Sequence, residues 1–146
     1  MNKGNIENRQ HTEESINRLM YVASTLKNRQ ERILKAFEIG IQHYQILLLL
    51  ERNIPEPLCA GDIKCQLPDR NPDLTRLIDK LERKGLVERK KWPGNMRKMA
   101  ISISNRGRYL MREIRPMMEM FYTQIHLQPE EVAHLESLIN KLNPED

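Results

Sequence analysis

The sequence predicts a mainly α-helical protein in which a compact lobe with one β-hairpin lies between long helices at both ends. Three observations predict this class. Apolar residues recur every three or four positions over about residues 12–37 and 105–143, which is typical of amphipathic helices. Two shorter helical segments follow each other closely within residues 60–85. Two alternating stretches then surround Pro93 and Gly94, as in a hairpin. With 146 residues, a single domain is expected.

Charge is concentrated in the middle of the chain. The whole sequence has 24 Lys and Arg against 20 Asp and Glu, a formal net charge of +4. Residues 61–112 hold 14 basic and six acidic residues, a net +8, so the two flanks together carry −4. A surface that attracts polyanions is therefore expected in the central lobe.

The composition also predicts a soluble, cytoplasmic protein. The two cysteines, Cys59 and Cys65, form no disulfide framework and suit a reducing compartment. No secretory signal peptide is recognised. The longest apolar run, residues 46–50, is far shorter than the roughly 20 residues that a membrane-spanning helix needs.

The N-terminal half predicts two helices. An apolar stripe runs from Ile16 to Phe37, and Thr12, followed by two glutamates, is expected to cap this first long helix. Gly40 interrupts the pattern. Residues 44–50 are apolar on nearly all sides, which predicts a helix buried from several directions, and the segment from Asn53 to Pro57 ends it.

The central segment predicts a short helix, a turn and a second helix. The first covers Ala60 to Leu67 and is closed by Pro68. In "RNPDLTRLIDKLERKG", Asn71 can cap the second helix and Pro72 suits its first position. The apolar stripe of that helix should face the lobe, and Gly85 should terminate it. The stripe consists of Leu74, Leu77, Ile78 and Leu81.

The remaining residues predict a hairpin and two more helices. Strands are expected over Leu86 to Trp92 and Met99 to Ser104, around a loop from Pro93 to Lys98. From Asn105 a long helix should follow, with Pro116 as a bend. Its expected apolar stripe is Leu110, Ile114, Met117, Phe121 and Ile125. A last helix should start near Pro129, and its apolar residues are Val132, Leu135, Leu138, Ile139 and Leu142.

A short helix followed by a helix with polar residues near its start is the arrangement that enters a DNA major groove. A cationic hairpin beside it can reach a minor groove and neighbouring phosphates. Asp73 would be repelled by phosphate, so it is expected to act as a helix cap, a cytosine contact or a partner of Arg76. The candidate DNA-binding residues are Arg70, Asn71, Asp73, Thr75, Arg76, Lys80, Lys90, Lys91, Asn95, Arg97 and Lys98.

The same features also occur in proteins that do not read a DNA sequence. A basic face on a small helical domain is often solvated surface, and helix-turn-helix geometry is found in modules that bind proteins. A winged-helix protein-interaction module and a nonspecific architectural DNA-binding protein therefore stay open as alternatives. No phosphate-binding loop, pair of catalytic carboxylates or nucleophile with a base is found, so neither an enzyme nor a cofactor is predicted. The four histidines lack metal-ligand spacing.

Thirteen consecutive residues, Thr75 to Val87, match T-R-L-hydrophobic-D-[RK]-L-E-x-[RK]-G-L-hydrophobic, and in this they resemble the MarR family of bacterial transcription regulators. "ISISNRGRYLMREI" is similar to the family's T-x-x-G helix start, with Ser104 for Thr and Gly107 as the glycine. The sequence departs from the family at Asn95, where an acidic residue often precedes the wing arginine, at residues 71–73, where small hydroxyl residues are usual, and at Lys64.

The resemblance implies a winged helix-turn-helix lobe over about residues 41–104 and dimerisation helices over about 12–37 and 105–143. It implies a homodimer that binds double-stranded DNA at a pseudo-palindromic operator, most often as a repressor, and that a small-molecule effector can release. The family's effector cavity lies between the lobe and the dimer helices, and His43, Tyr44 and Tyr109 are candidates for it. Some family members sense oxidants, a role for which Cys59 and Cys65 are weak candidates.

Overall fold

A computed structural model of the chain describes residues 3–69 and 73–142. Within them the predicted fold class is confirmed: six helices and one antiparallel hairpin. The elements are α1 (Lys3–Lys35), α2 (Ile41–Arg52), α3 (Ala60–Gln66), α4 (Leu74–Arg83), β1 (Val87–Trp92), β2 (Asn95–Ile103), α5 (Asn105–Thr123) and α6 (Pro129–Leu142).

The hydrophobic core lies in the lobe formed by α2, α3, α4 and the base of the hairpin, and α5 and the C-terminal end of α1 pack against it. Helix α2 is at the centre, because Ile46, Leu47 and Leu50 are all buried. Leu58 joins the sheet as an isolated bridge, exchanging hydrogen bonds of 2.8 and 2.9 Å with Ile101. The hairpin is thereby anchored on the segment that precedes α3.

Helix α1 is longer than predicted. It already runs at Lys3, and the Thr12 hydroxyl donates to the Asn8 carbonyl at 2.8 Å inside the helix, so Thr12 is not its cap. At the other end the Ile39 amide donates to Leu34 and the Glu38 amide to Lys35, while Glu38 has a φ of 57°. These two bonds form a Schellman motif, whose left-handed residue is usually glycine.

The C-terminal helices bury less than expected. In α5 the predicted Ile114 and Phe121 are buried. Between them, however, Met118 is buried, 3 % exposed, whereas the predicted Met117 is 43 % exposed, and Ile125 lies beyond the helix. Both methionines follow Ile114 at helical spacing, so the apolar pattern alone did not distinguish the two faces. Every residue of α6 is exposed. None of the helices in the described ranges is long and apolar enough to cross a membrane.

Candidate nucleic-acid interface

Helix α4 begins later than predicted, and its cap is Asp73 rather than Asn71. The Asp73 carboxylate accepts the Arg76 amide at 3.3 Å, which satisfies one of the unpaired donors in the first turn. Of the three roles expected for Asp73, the structure shows the helix cap. The predicted readers Arg70 and Asn71, and the predicted first-turn residue Pro72, lie outside the described residues.

The two faces of α4 differ as the sequence predicts. Leu74, Ile78 and Leu81 are buried, and Leu77 is half-buried against the core. The opposite face exposes cationic and hydroxyl side chains that form no ion pair with any other described residue. These side chains are Thr75, Arg76 and Lys80.

The tip of the hairpin is tighter than the six-residue loop that was predicted. Pro93 and Gly94 alone form the turn, with Gly94 at a φ of 78°, and β2 begins directly after them. Lys91 pairs with Met99, but the next residue of β1 pairs with Asn95. Residues 96–98 of β2 therefore oppose no residue of β1 and form a bulge, a feature that redirects side chains.

Within this bulge the side chains have different environments. The Asn95 Oδ1 accepts the Arg97 amide at 3.1 Å, so Asn95 fixes the backbone at Arg97. The Arg97 guanidinium is exposed and forms no ion pair with the other described residues. The Lys98 ammonium lies 4.4 Å from the centroid of the Trp92 ring, a cation–π contact that turns Lys98 back towards the lobe.

The lobe next to Lys98 carries a second capped helix. Cys59 caps α3: its thiol donates to the Asp62 carboxylate at 2.9 Å, and its Sγ accepts the Asp62 amide at 3.4 Å. The pKa of Asp62 is lowered chiefly by the Cys59 thiol and amide that donate to it, and to a smaller extent by the charge of Lys98. Cys65 is exposed. The described residues contain no cluster of three or more metal-binding side chains.

Lys90 and Lys91 are both exposed on β1. Successive residues of a strand point to opposite faces, so the two ammonium groups leave the hairpin in different directions. Lys90 stands opposite Ala100 and Lys91 opposite Met99. A single flat surface could therefore contact one of them closely, but not both.

Arg89 joins the hairpin to α4, and we did not predict this role. Its Nη2 donates to Asp79 at 2.6 Å and to Glu82 at 3.0 Å, and its Nε donates to Glu82 at 2.9 Å. These bonds raise the pKa of Arg89 still further, with Glu82 as the main cause, and Arg89 lowers the pKa of Glu82. Both acids belong to the Thr75–Val87 motif, and Arg89 follows that motif by two residues. This proximity is the only sign of the contact that the sequence contains.

The junction between the hairpin and α5 confirms the expected helix start. The Ser104 hydroxyl donates to the Gly85 carbonyl at 2.6 Å and accepts the Gly107 amide at 3.0 Å. A Cβ on Gly107 would lie 2.2 Å from the carbonyl oxygen of Leu86 and 2.7 Å from Cγ1 of Ile103. Only glycine lets α5 pass this close to the start of the hairpin, so the motif fixes the orientation of the lobe relative to α5.

In the part of the chain that the structure describes, the three effector candidates line different cavities. Tyr44 lines a cavity of about 240 Å³ with residues of α1, α2 and α5, among them Gln30 and Tyr122. His43 lines two other pockets, of about 580 and 340 Å³, and Tyr109 lines a small one of about 160 Å³. Burial raises the pKa of the Tyr44 hydroxyl.

His43 is a buried side chain of α2. Its Nδ1 accepts the Gly40 amide at 3.1 Å, so the proton of the neutral ring is on Nε2. That Nε2 is buried without a hydrogen-bond partner among the described residues. Burial, and to a smaller extent the charges of Lys80 and Lys84, lower the pKa of His43.

Comparison with known proteins is consistent with this geometry. The model of the MarR family matches residues 39–99. The transcriptional repressor MprA of Escherichia coli K12 is 26% identical over 125 residues, which are 84% of this chain and 71% of MprA. A MarR transcription factor from Planctomyces limnophilus is 29% identical, with a TM-score of 0.71 over 88% of this chain and 95% of its own.

A third similar structure is that of a mutant of Escherichia coli MarR complexed with operator DNA. It is 22% identical, with a TM-score of 0.76 over 89% of this chain and 94% of its own. At this identity the likeness concerns the fold, and it covers the lobe as well as the long flanking helices.

Proposed function

We propose that the chain is a member of the MarR family of transcription regulators, whose model matches residues 39–99, and that it binds double-stranded DNA sequence-specifically, as a homodimer, and represses promoters that contain its operator. Acting on promoters requires a cytoplasmic location in a bacterium. The named relative MprA is itself a transcriptional repressor.

The observation that carries this proposal is the cationic surface that the exposed side chains of α4 and the hairpin provide. Its exposed cations form no ion pair with other described residues, while Arg89 is used internally to join the two elements. Unpaired cations held on a rigid frame suit a polyanion, because nothing intramolecular competes for them. The exposed cations are Arg76, Lys80, Lys90, Lys91 and Arg97.

Each lobe would then contact both grooves. The exposed face of α4, with Thr75 and Arg76 in its first turn, suits the edges of base pairs in the major groove. The hairpin acts as the wing, with Arg97 directed into the adjacent minor groove. Lys91 contacts phosphate, which adds affinity but no sequence information. We also assign DNA contacts to Arg70 and Asn71, which precede α4.

A second copy of the chain is the partner that the flanking helices require. Helix α6 has 14 residues, all exposed, and an isolated helix of this length is marginal in water. Exposed apolar side chains also lie on α1 and α5, where monomers seldom expose large patches. They include Met20, Tyr21, Val22, Met117 and Met120. We propose that α1, α5 and α6 of two copies interlock.

Dimer symmetry determines the form of the operator. Two lobes related by a two-fold axis read inverted half-sites about one helical turn, or a multiple of a turn, apart. A small-molecule effector in the cavity beside Tyr44 contacts both the lobe and the long helices. It would release the DNA by favouring a dimer whose lobe spacing no longer matches the operator, to the extent that it binds that state more tightly.

The test compares binding to a duplex enriched from random DNA with binding to a scrambled duplex, by fluorescence anisotropy over a range of salt concentrations. We expect a preference of at least about 10³-fold for the enriched duplex and a steep salt dependence. Arg97→Ala should weaken binding to the enriched duplex more than to the scrambled one, whereas Lys91→Ala should weaken both about equally. Lys35→Ala removes the same charge outside this face and serves as the matched control.

Two results would contradict the proposal. Equal affinity for all duplexes would indicate a nonspecific architectural protein. No binding to any duplex at moderate salt would indicate a module that binds proteins. Sedimentation equilibrium tests the dimer independently, because a monomer at micromolar concentration would contradict the interlocked helices.

A further inference from the structure

The bulge at the tip of the wing presents an apolar side chain as well as a cationic one. Met96 is 72 % exposed, although methionine usually packs against other apolar groups. Its neighbours in the tip are otherwise engaged: Asn95 accepts the Arg97 amide, and Lys98 packs on Trp92. Of the described residues 95–98, Met96 and Arg97 are therefore the pair whose side chains are free to contact another molecule.

We propose that Met96 is a specificity-determining residue that makes the wing reject G·C base pairs in the minor groove. This inference rests on the proposed function, since it requires that the wing enters DNA. Within that framework it assigns different tasks to two adjacent side chains. Arg97 is attracted to the groove, and Met96 decides which base pairs the groove can contain.

The chemistry of the groove floor supports this division. In the minor groove A·T pairs present only acceptors, whereas G·C pairs add the N2 amino group of guanine as a donor. A thioether sulfur is a weak acceptor, so covering that amino group with Met96 would remove its water and leave the donor without a good partner. Over A·T pairs the same side chain covers sugar and base edges, and Arg97 can donate to the acceptors beside it.

Backbone geometry holds the two side chains at the required place. The three-residue bulge lies between the Lys91–Met99 and Trp92–Asn95 pairs, and the Asn95 bond fixes the chain at Arg97. Trp92, with Lys98 over its ring, supports the bulge from the side of the lobe. Met96 therefore projects from a tip that these contacts hold in place, so its position in the groove is well defined.

Inosine separates the minor-groove amino group from the major-groove identity of the base pair. An I·C pair is identical to G·C in the major groove but lacks the minor-groove amino group. The base pairs under the wing are first located by hydroxyl-radical footprinting, as those whose protection is lost with Arg97→Ala. Duplexes with A·T, I·C or G·C at these positions are then titrated with the full-length protein. We expect the wild type to bind A·T and I·C about equally and G·C about five- to tenfold more weakly.

Met96→Gln is the decisive variant, because its amide oxygen can accept from guanine at nearly the same side-chain length. The ratio of I·C to G·C affinity should fall to about twofold or less with Met96→Gln and stay at the wild-type value with Met96→Leu. Met99→Gln, in the same strand but paired with Lys91 outside the bulge, should also leave the ratio unchanged.

Two outcomes overturn the inference while DNA binding itself survives: equal wild-type affinity for I·C and G·C, or a Met96→Gln ratio that equals the wild-type ratio. A wild type that binds none of the three duplexes would instead overturn the proposed function. Met96 is exposed, so the variants are expected to fold, and far-UV circular dichroism verifies this.

Discussion

Replacing Gly107 by alanine should destabilise the protein strongly, although alanine is the better helix former. In an unhindered helix interior the change would gain about 1 kcal/mol. Here the new Cβ would lie 2.2 Å from the Leu86 carbonyl oxygen. The oxygen belongs to the backbone and the position of a Cβ is fixed by its own backbone, so neither atom can rotate away. The Leu86 oxygen also accepts the Ser104 amide at 3.0 Å, and separating the chains would break that bond.

The magnitude follows from these terms. Overpacking of a core costs about 1–3 kcal/mol, and a lost hydrogen bond about 1 kcal/mol more. After the helix gain is subtracted, the expected net loss is about 1–3 kcal/mol. Urea unfolding followed by circular dichroism, at one protein concentration, measures it. Gly61→Ala is the matched control, because the nearest atom to its Cβ is 3.8 Å away. A Gly107→Ala variant as stable as the wild type would refute the close approach of α5 to the lobe.

Three further predictions concern named side chains. Glu38→Gly should stabilise the protein by about 0.5–1 kcal/mol in the same assay, because it relieves the left-handed backbone of the Schellman motif; a loss would contradict this. Because burial lowers the pKa of His43, the unfolded chain protonates first as the pH falls below 6.5, so wild-type stability should fall between pH 7.5 and 5.5. The fall cannot exceed about 1.4 kcal/mol per pH unit for one proton, and a His43→Gln variant with the wild-type slope would exclude His43 as its source. Arg89→Ala should weaken specific DNA binding about tenfold with the fold intact, since the wing is no longer held on α4, and unchanged affinity would refute that coupling.

Most of the fold follows from local patterns. Helices α2 and α3, the end of α4 at Gly85 and the serine–glycine start of α5 depend on residues close in sequence, so apolar runs, proline stops and capping rules identify them. The start of α4 was wrong because Asn71 and Asp73 are both good caps, and nothing local decides between them. One buried residue of α5 was misassigned, Met117 in place of Met118, because neighbouring methionines follow Ile114 at both helical spacings.

The candidate site was predictable in composition but not in detail. The excess of charge and its concentration near the hairpin are visible in the sequence. The environment of each cation is not visible in the sequence. Arg89 bonds to Glu82 and Asp79 only because the fold places β1 beside α4, and no rule of sequence spacing predicts that contact. The bulge at residues 96–98 depends on the pairing register that the two strands adopt around the turn at Pro93 and Gly94. Because of this bulge, Lys98 packs on Trp92 and Met96 is exposed.

The sequences that the purified wild-type protein selects from random duplex DNA test the central claim most directly. A symmetric dimer whose lobes each read the major and minor grooves should enrich an inverted repeat, with half-site centres about one helical turn or a multiple of a turn apart and A·T-rich positions under the wings. Enrichment of a single unpaired half-site would contradict the dimer. No enrichment above the starting pool would contradict sequence-specific regulation altogether.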